Sequence, residues 1–301
     1  MSIYATVSNQ GFTAAAFQMT WLNKRYRTPI RKGAVLCLFL LAVLGCGHTG
    51  QSRNEASSGQ GAASESQSVA IAAAADLRFA MDDLIAEFRQ ARPEIEVKVS
   101  YGSSGNFHAQ IRNRAPFDIY FSADVAYPRQ LEQEGLIQEG SLFLYAVGQI
   151  VVWVPKSSAL DIENRGIEAL EDPGIRHIAI ANPKHAPYGQ AAEAALRSLG
   201  LYDKVQGKLV FGENVAQTLQ FVQSGAADVG IVALALALAP QVRDTGKYWQ
   251  IPLDAYPRME QGGAILAHAA NPGGAEEFRD FVLSSRGKDL LRRYGFVLPG
   301  E

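Results

Sequence analysis

From residue 69 onward the chain alternates between short apolar runs and amphipathic segments. The run 69-VAIAAAA-75 is apolar throughout, as a buried strand is. Asp76 follows at a position suited to a helix N-cap. Leu77, Met81, Leu84 and Phe88 then recur at helical spacing until Arg92-Pro93 ends the helix. The segment 95-IEVKVSY-101 alternates with the period of a strand. After the turn 102-GSSGN-106, Phe107 and Ile111 begin a second helix. The segment 117-FDIYFSA-123 is a further strand, and Asp124 opens a helix that runs through Leu131 to a stop near Gly135.

The same alternation continues. Buried strands are predicted at 150-IVVWVP-155 and 177-HIAIANP-183, and a helix at 188-YGQAAEAALRSLG-200 that Gly200 closes. Then come a strand at 208-KLVFG-212, a helix from Asn214 to Gln223 and a strand at 228-DVGIVA-233. The last part holds 247-KYWQIP-252, 264-AILAH-268 and the helices after Gly274, read as a return to the first sheet. This order predicts α/β architecture with mostly parallel sheets. In such sheets ligands sit at the carboxyl ends of strands, where helices begin.

The first 68 residues read differently. Lys24, Arg25, Arg27, Arg31 and Lys32 precede the apolar run 34-AVLCLFLLAVLG-45. That run is shorter than the roughly 20 residues a membrane span needs. A basic flank and a short apolar core predict an export signal over 1–46, with Met19 as an alternative start. Cys37 and Cys46 are the two cysteines, so nothing beyond Cys46 can form an internal disulfide. The order V-L-G-C ending at Cys46 resembles a bacterial lipoprotein signal, which implies acylation there. A secretory signal cut nearby is the competing reading. The stretch 47–68 is rich in Gly, Ser, Gln and Ala, without a large apolar residue, and is expected to be a flexible tether.

Charge narrows the partners. A formal net charge of −2 over 301 residues offers no basic surface for nucleic acid or an anionic membrane. Enzyme signatures are missing as well: no G-x-S-x-G, H-E-x-x-H or P-loop pattern occurs, and the five histidines are scattered. Ser103 or Ser104 with His108 and Asp118 is the one imaginable triad. What remains is a repeated turn with small or polar residues: 74-AAD-76, 102-GSSGN-106, 186-APYGQ-190 and 212-GENVA-216. Each points unpaired helix N-terminal amides outward, and such amides bind anions without a cationic side chain. Serine hydroxyls add donors, and Gly102 and Gly105 are expected to let backbone approach a ligand closely.

Six motifs taken together carry a family resemblance. They are AAAADLRFAM (72–81), YGSSGNF (101–107), APFDIYFSAD (115–124), NPKHAPYG (182–189), GENV (212–215) and RRYGF (292–296). Across nearly all of 69–301 the chain resembles the periplasmic molybdate-binding proteins, the solute receptors of bacterial ABC importers. The resemblance implies two α/β lobes of the type II-like periplasmic binding protein kind, joined by a hinge. Lobe 1 would comprise 69–148 and 253–301, lobe 2 would comprise 149–252, and the crossings would fall near Gly148 and Pro252. It implies an oxyanion held by Ala75, Asp76, Ser103, Ser104, Tyr188 and Val215, with no catalytic residue, metal-ion ligand or cofactor. Molybdate or tungstate would be the ligand, and the inner-membrane permease the partner. A monomer in the periplasm or at the cell surface, anchored through Cys46, is expected. Two departures stand out: Asp76 replaces a neutral side chain, and Ala233 replaces a tyrosine that some members use to cap the anion. Asp76 is therefore expected to turn back as an N-cap, with Ser103 or Tyr188 standing in for the lost tyrosine hydroxyl. The alternatives are another oxyanion such as sulfate or phosphate, an exported serine hydrolase acting through Ser104, and a ligand-sensing regulatory domain.

Overall fold

The computed structural model describes residues 67–301. The expected signal (1–46), Cys46 and all of the tether but Gln67 and Ser68 lie outside the described residues. In chain order, strands β1 (Gln67–Ala74) and β2 (Ile95–Gly102) flank helix α1 (Arg78–Ala91), and α2 (Ser104–Arg112) leads to β3 (Ile119–Ser122). Helix α3 (Ala126–Gln133) precedes β4 (Phe143–Gly148) and β5 (Ile150–Pro155). The short α4 (Ile162–Arg165), β6 (Ile178–Ala181), α5 (Pro187–Ser198), α6 (Tyr202–Val205) and β7 (Leu209–Gly212) follow. Next are α7 (Val215–Gln223), β8 (Val229–Ala233), α8 (Leu234–Ala237), β9 (Gly246–Gln250) and β10 (Met259–Ile265). Helices α9 (Pro272–Leu283) and α10 (Ser285–Arg293) complete the chain.

The strands form two five-stranded sheets, ordered β2-β1-β3-β10-β4 and β7-β6-β8-β5-β9. Both are mixed. Three parallel strands start each sheet, one reversed strand (β10 or β5) pairs beside them, and the outer strand (β4 or β9) pairs antiparallel to that one. The parallel strands at the centre are buried on both faces, which explains their unbroken apolar sequence. In β6 (IAIA) and β8 (VGIVA) every residue is buried. Edge strand β2 instead alternates between sheltered and wetter positions, matching its IEVKVSY pattern. Helices cover the faces: α1 and α9 bring Phe88 and Phe278 together edge to face at 5.1 Å, worth about 0.5–1.5 kcal/mol beyond their area.

The chain leaves the first sheet at Gly148 and enters the second at Ile150, with one residue between. It returns after Gln250, where Ile251 N–H donates to Ile150 C=O (3.2 Å). Strand β4 is not anticipated by the sequence reading, because 142-LFLYAVGQIVVWVP-155 is one long apolar run. Gly148 breaks it. A Cβ there would lie 2.5 Å from Tyr188 Oη and 2.7 Å from Gln261 Nε2, so a side chain would push into the space between the sheets.

Candidate functional site

Four strand ends converge where the two lobes meet. The carboxyl ends of β1 and β2 come from the first lobe and those of β6 and β7 from the second, each running into a helical turn. All six residues named from the sequence, Ala75, Asp76, Ser103, Ser104, Tyr188 and Val215, line one small cavity. Ala74, Gly102, Ala123, Ala186, Pro187 and Asn214 complete the wall. Asp76 and Ser104 are each 1% exposed. No basic side chain lies in the lining, and Asp76 is its one ionisable carboxylate.

The donors are backbone amides, freed by the way each turn is built. The first amides of a helix have no partner within it. Asn214 caps α7, its Oδ1 accepting from Ala216 N–H (3.1 Å) and Gln217 N–H (3.0 Å). Its side chain therefore satisfies the second and third amides and leaves that of Val215 open to the cavity. Pro187 opens α5 without an N–H of its own, so Tyr188 presents the first amide there. In α2 the Ser103 side chain caps nothing and the Ser104 amide stays free. The turn Ala75–Leu77 lies beside them, with the Asp76 and Leu77 amides directed to the Asp76 carboxyl group. Ser104 Oγ accepts from Ala123 N–H at 3.0 Å, which leaves its hydroxyl proton to donate into the cavity.

Asp76 does not cap a helix. Its Oδ2 accepts from Tyr188 Oη–H at 3.0 Å and from Gln261 Nε2–H at 2.8 Å. Gln261 Nε2 also donates to Tyr188 Oη at 3.1 Å. This buried triangle joins β1's end, α5 and β10, and so ties the lobes together. Burial pushes the Asp76 carboxyl up to about 6, while bonds from Gln261, Tyr188 and the backbone amides of Asp76 and Leu77 pull the other way. Burial and the neighbouring Asp76 raise the Tyr188 phenol well above its ordinary value. The N-cap expectation fails because Asp76 lies inside the Ala75–Leu77 turn and its side-chain partners are Tyr188 of the second lobe and Gln261 of β10, while neither that turn nor α1 has a side-chain cap. Tyr188 Oη is spent on that bond, so it does not stand in for the missing tyrosine. Ala233 ends β8, fully buried, outside the cavity lining.

A second cross-lobe cluster lies at the rim. Gly105 N–H donates to His185 C=O at 2.9 Å, Ser103 Oγ and His185 Nδ1 are hydrogen-bonded at 2.9 Å, and Asn106 Nδ2 donates to Glu213 Oε1. A Cβ on Gly105 would sit 2.7 Å from His185 O. Gly105 thus serves the approach of the second lobe rather than of a ligand, and Gly102 gives way to the Phe107 ring at 2.9 Å. The imagined triad is not assembled. Asp118 spends Oδ2 on Ala70 N–H and Oδ1 on Ala270 and Asn271 N–H, and His108 Nε2 is buried with no partner. Gln261 and His185 escaped the sequence reading. A glutamine inside the apolar strand 259-MEQGGAI-265 was the available signal for the first, and the proline-bounded 183-PKHAP-187 hid the second.

Two lobes meeting over a shared small cavity are the architecture of a solute-binding protein, and comparison with known proteins agrees. The sequence profile described as bacterial extracellular solute-binding protein matches residues 69–297, and the chain belongs to that family. It is 35% identical over 236 residues to the molybdate-binding protein ModA of Azotobacter vinelandii, covering 78% of this chain and 92% of the relative. A putative ABC transporter substrate-binding lipoprotein, YvgL of Bacillus subtilis, is 27% identical over 267 residues, 88% of this chain and 96% of that one. The solved periplasmic molybdate-binding protein of A. vinelandii superposes with a TM-score of 0.72 over 77% of this chain and 99% of its own, at 35% identity.

Proposed function

We propose that this chain is an extracytoplasmic receptor that captures molybdate between its lobes and presents the closed form to the permease of an ABC importer. One observation carries the reading: a small cavity between the lobes, lined by four strand-to-helix turns, whose donors are unpaired amides from three helix starts and a serine hydroxyl, with no cationic side chain. Such a site selects by radius. Fixed amides suit one tetrahedral oxyanion, so tungstate competes with molybdate, while the smaller sulfate leaves some donors unfilled. Closure is the hinge motion that clamps ligands in two-lobed receptors, and the triangle of Asp76, Tyr188 and Gln261 forms only when the lobes meet. The relatives' names support the ligand and the transporter, and YvgL supports a lipid anchor at Cys46. A monomer, without catalysis or cofactor, completes the proposal.

Calorimetric titration of the purified protein with molybdate, tungstate, sulfate and phosphate tests it. The expected result is one-to-one binding of the first two, at least tenfold tighter than of the others. Equal or stronger binding of sulfate or phosphate would overturn the ligand assignment.

A further inference from the structure

Asp76 poses a chemical problem for an anion site. It lines the cavity, is 1% exposed, and has both of its side-chain partners on one of its two oxygens. Tyr188 and Gln261 both bond to Oδ2. Oδ1 is buried and has no hydrogen-bond partner, and neither has Gln261 Oε1. An ionised Oδ1 beside a dianion is repulsive, more so where water is excluded. No lysine or arginine in the lining offsets it. Carrying a proton, the same carboxyl group becomes a hydrogen-bond donor in the cavity wall.

We propose that Asp76 makes this site take up its oxyanion together with one proton, held between the Asp76 carboxyl group and an oxygen of the anion. The proton comes from solvent on binding and returns to it on release; no other bond forms or breaks. Asp76 thereby sets which charge state the closed site accepts. The inference rests on the oxyanion-receptor reading.

The surroundings supply no rival for the proton. Tyr188 on α5 and Tyr145 on β4 face the carboxyl group as phenols that burial keeps neutral. Strand β10 contributes neutral Gln261. Helices α7 (VAQTLQFVQ) and α8 (LALA), which pack on the Ala75–Leu77 turn, hold no ionisable side chain. Arg78, at the start of α1, is exposed, and His185 is turned to Ser103 and Glu213. Burial alone already moves Asp76 toward the protonated form, to about 6 in the empty cavity, and an arriving dianion raises it further.

The test is calorimetry of the full protein with molybdate from pH 6 to 8, in buffers of differing ionisation enthalpy. Proton uptake per anion bound should rise from about half a proton at pH 6 to close to one at pH 8. The molybdate Kd should rise about tenfold per pH unit across the window where free Asp76 is ionised and bound Asp76 is not. Asp76→Asn should bind with no proton uptake and a flat pH profile. Molybdate heat without proton uptake in the wild type would overturn this proposal alone, and that count needs no variant to fold. Uptake persisting undiminished in Asp76→Asn would also overturn it, moving the proton to His185. No molybdate heat at any pH would instead sink the receptor reading and this inference with it.

Discussion

Gly105→Ala separates ligand capture from folding. Gly105 is the second residue of α2 and faces solvent-filled space whenever the lobes part, but in the closed form a Cβ would meet His185 O at 2.7 Å, His185 Cα at 3.0 Å and Tyr127 Oη at 3.0 Å. The tyrosine hydroxyl can swing away. The His185 backbone cannot, because it also accepts from Gly105 N–H at 2.9 Å. Restoring ordinary contact distance costs either that hydrogen bond, about 0.5–1.5 kcal/mol, or an overpacked contact of about 1–3 kcal/mol. Since only the closed state suffers, the loss falls on ligand affinity. At 1.4 kcal/mol per decade, Kd should rise by roughly 2- to 140-fold. Folding of the open form moves the other way, because alanine is favoured over glycine in a helix by up to about 1 kcal/mol. Calorimetry gives the first quantity and urea unfolding of the ligand-free protein, held open by a spin-label distance check, gives the second. Unchanged molybdate affinity in Gly105→Ala would refute the reasoning, since the rim contact would then play no part in closure.

Three further outcomes follow from other sites. Ser104→Ala should weaken molybdate binding by about 1–3 kcal/mol, because the anion loses a buried donor, and should cost about 1 kcal/mol of stability by stranding Ala123 N–H; titration and unfolding read the two separately. Asp118→Asn should lower unfolding free energy by about 1–3 kcal/mol in urea melts with little change in Kd, since Asp118 satisfies three backbone amides far from the cavity. Asp76 should make the empty protein more stable toward acid: its carboxyl is raised from 3.8 to about 6, so the folded state holds the proton more tightly than the unfolded chain does. That contribution, about 3 kcal/mol by linkage, is fully present below pH 3.8 and is lost as pH rises through 6. Urea melts of wild type and Asp76→Asn at pH 4 and 7.5 check it, the variant showing the smaller difference.

Most of the architecture is legible in local pattern because local physics dictates it. The run IVVWVP is a strand from Ile150 to Pro155 as read, and Gly200 closes its helix with φ +69°. The turns that build the cavity are likewise visible, since small residues after a strand and before a helix have few other uses. What stays hidden depends on distant partners. Strand β4 merges with β5 in sequence and is divided only by the demand of Tyr188 and Gln261 for space at Gly148. The side chain of Asp76 reads as a local cap, yet its bonds run to residues 112 and 185 positions away. No periodicity could announce those.

The crossing pattern of the chain also dictates an order of manufacture. The second sheet is built from one unbroken stretch, β5 through β9, so it can close its core as soon as that stretch leaves the ribosome. The first sheet cannot. Its β3 must wait for β10 to pair beside it at Gly262–Ser122, and β10 is synthesised only after the whole second lobe. During that interval the nascent first lobe exposes an apolar strand edge, a hazard for pairing with other chains. The design makes the earlier half of the protein the later one to fold, and it makes a holding chaperone most useful to the residues between Gln67 and Gly148.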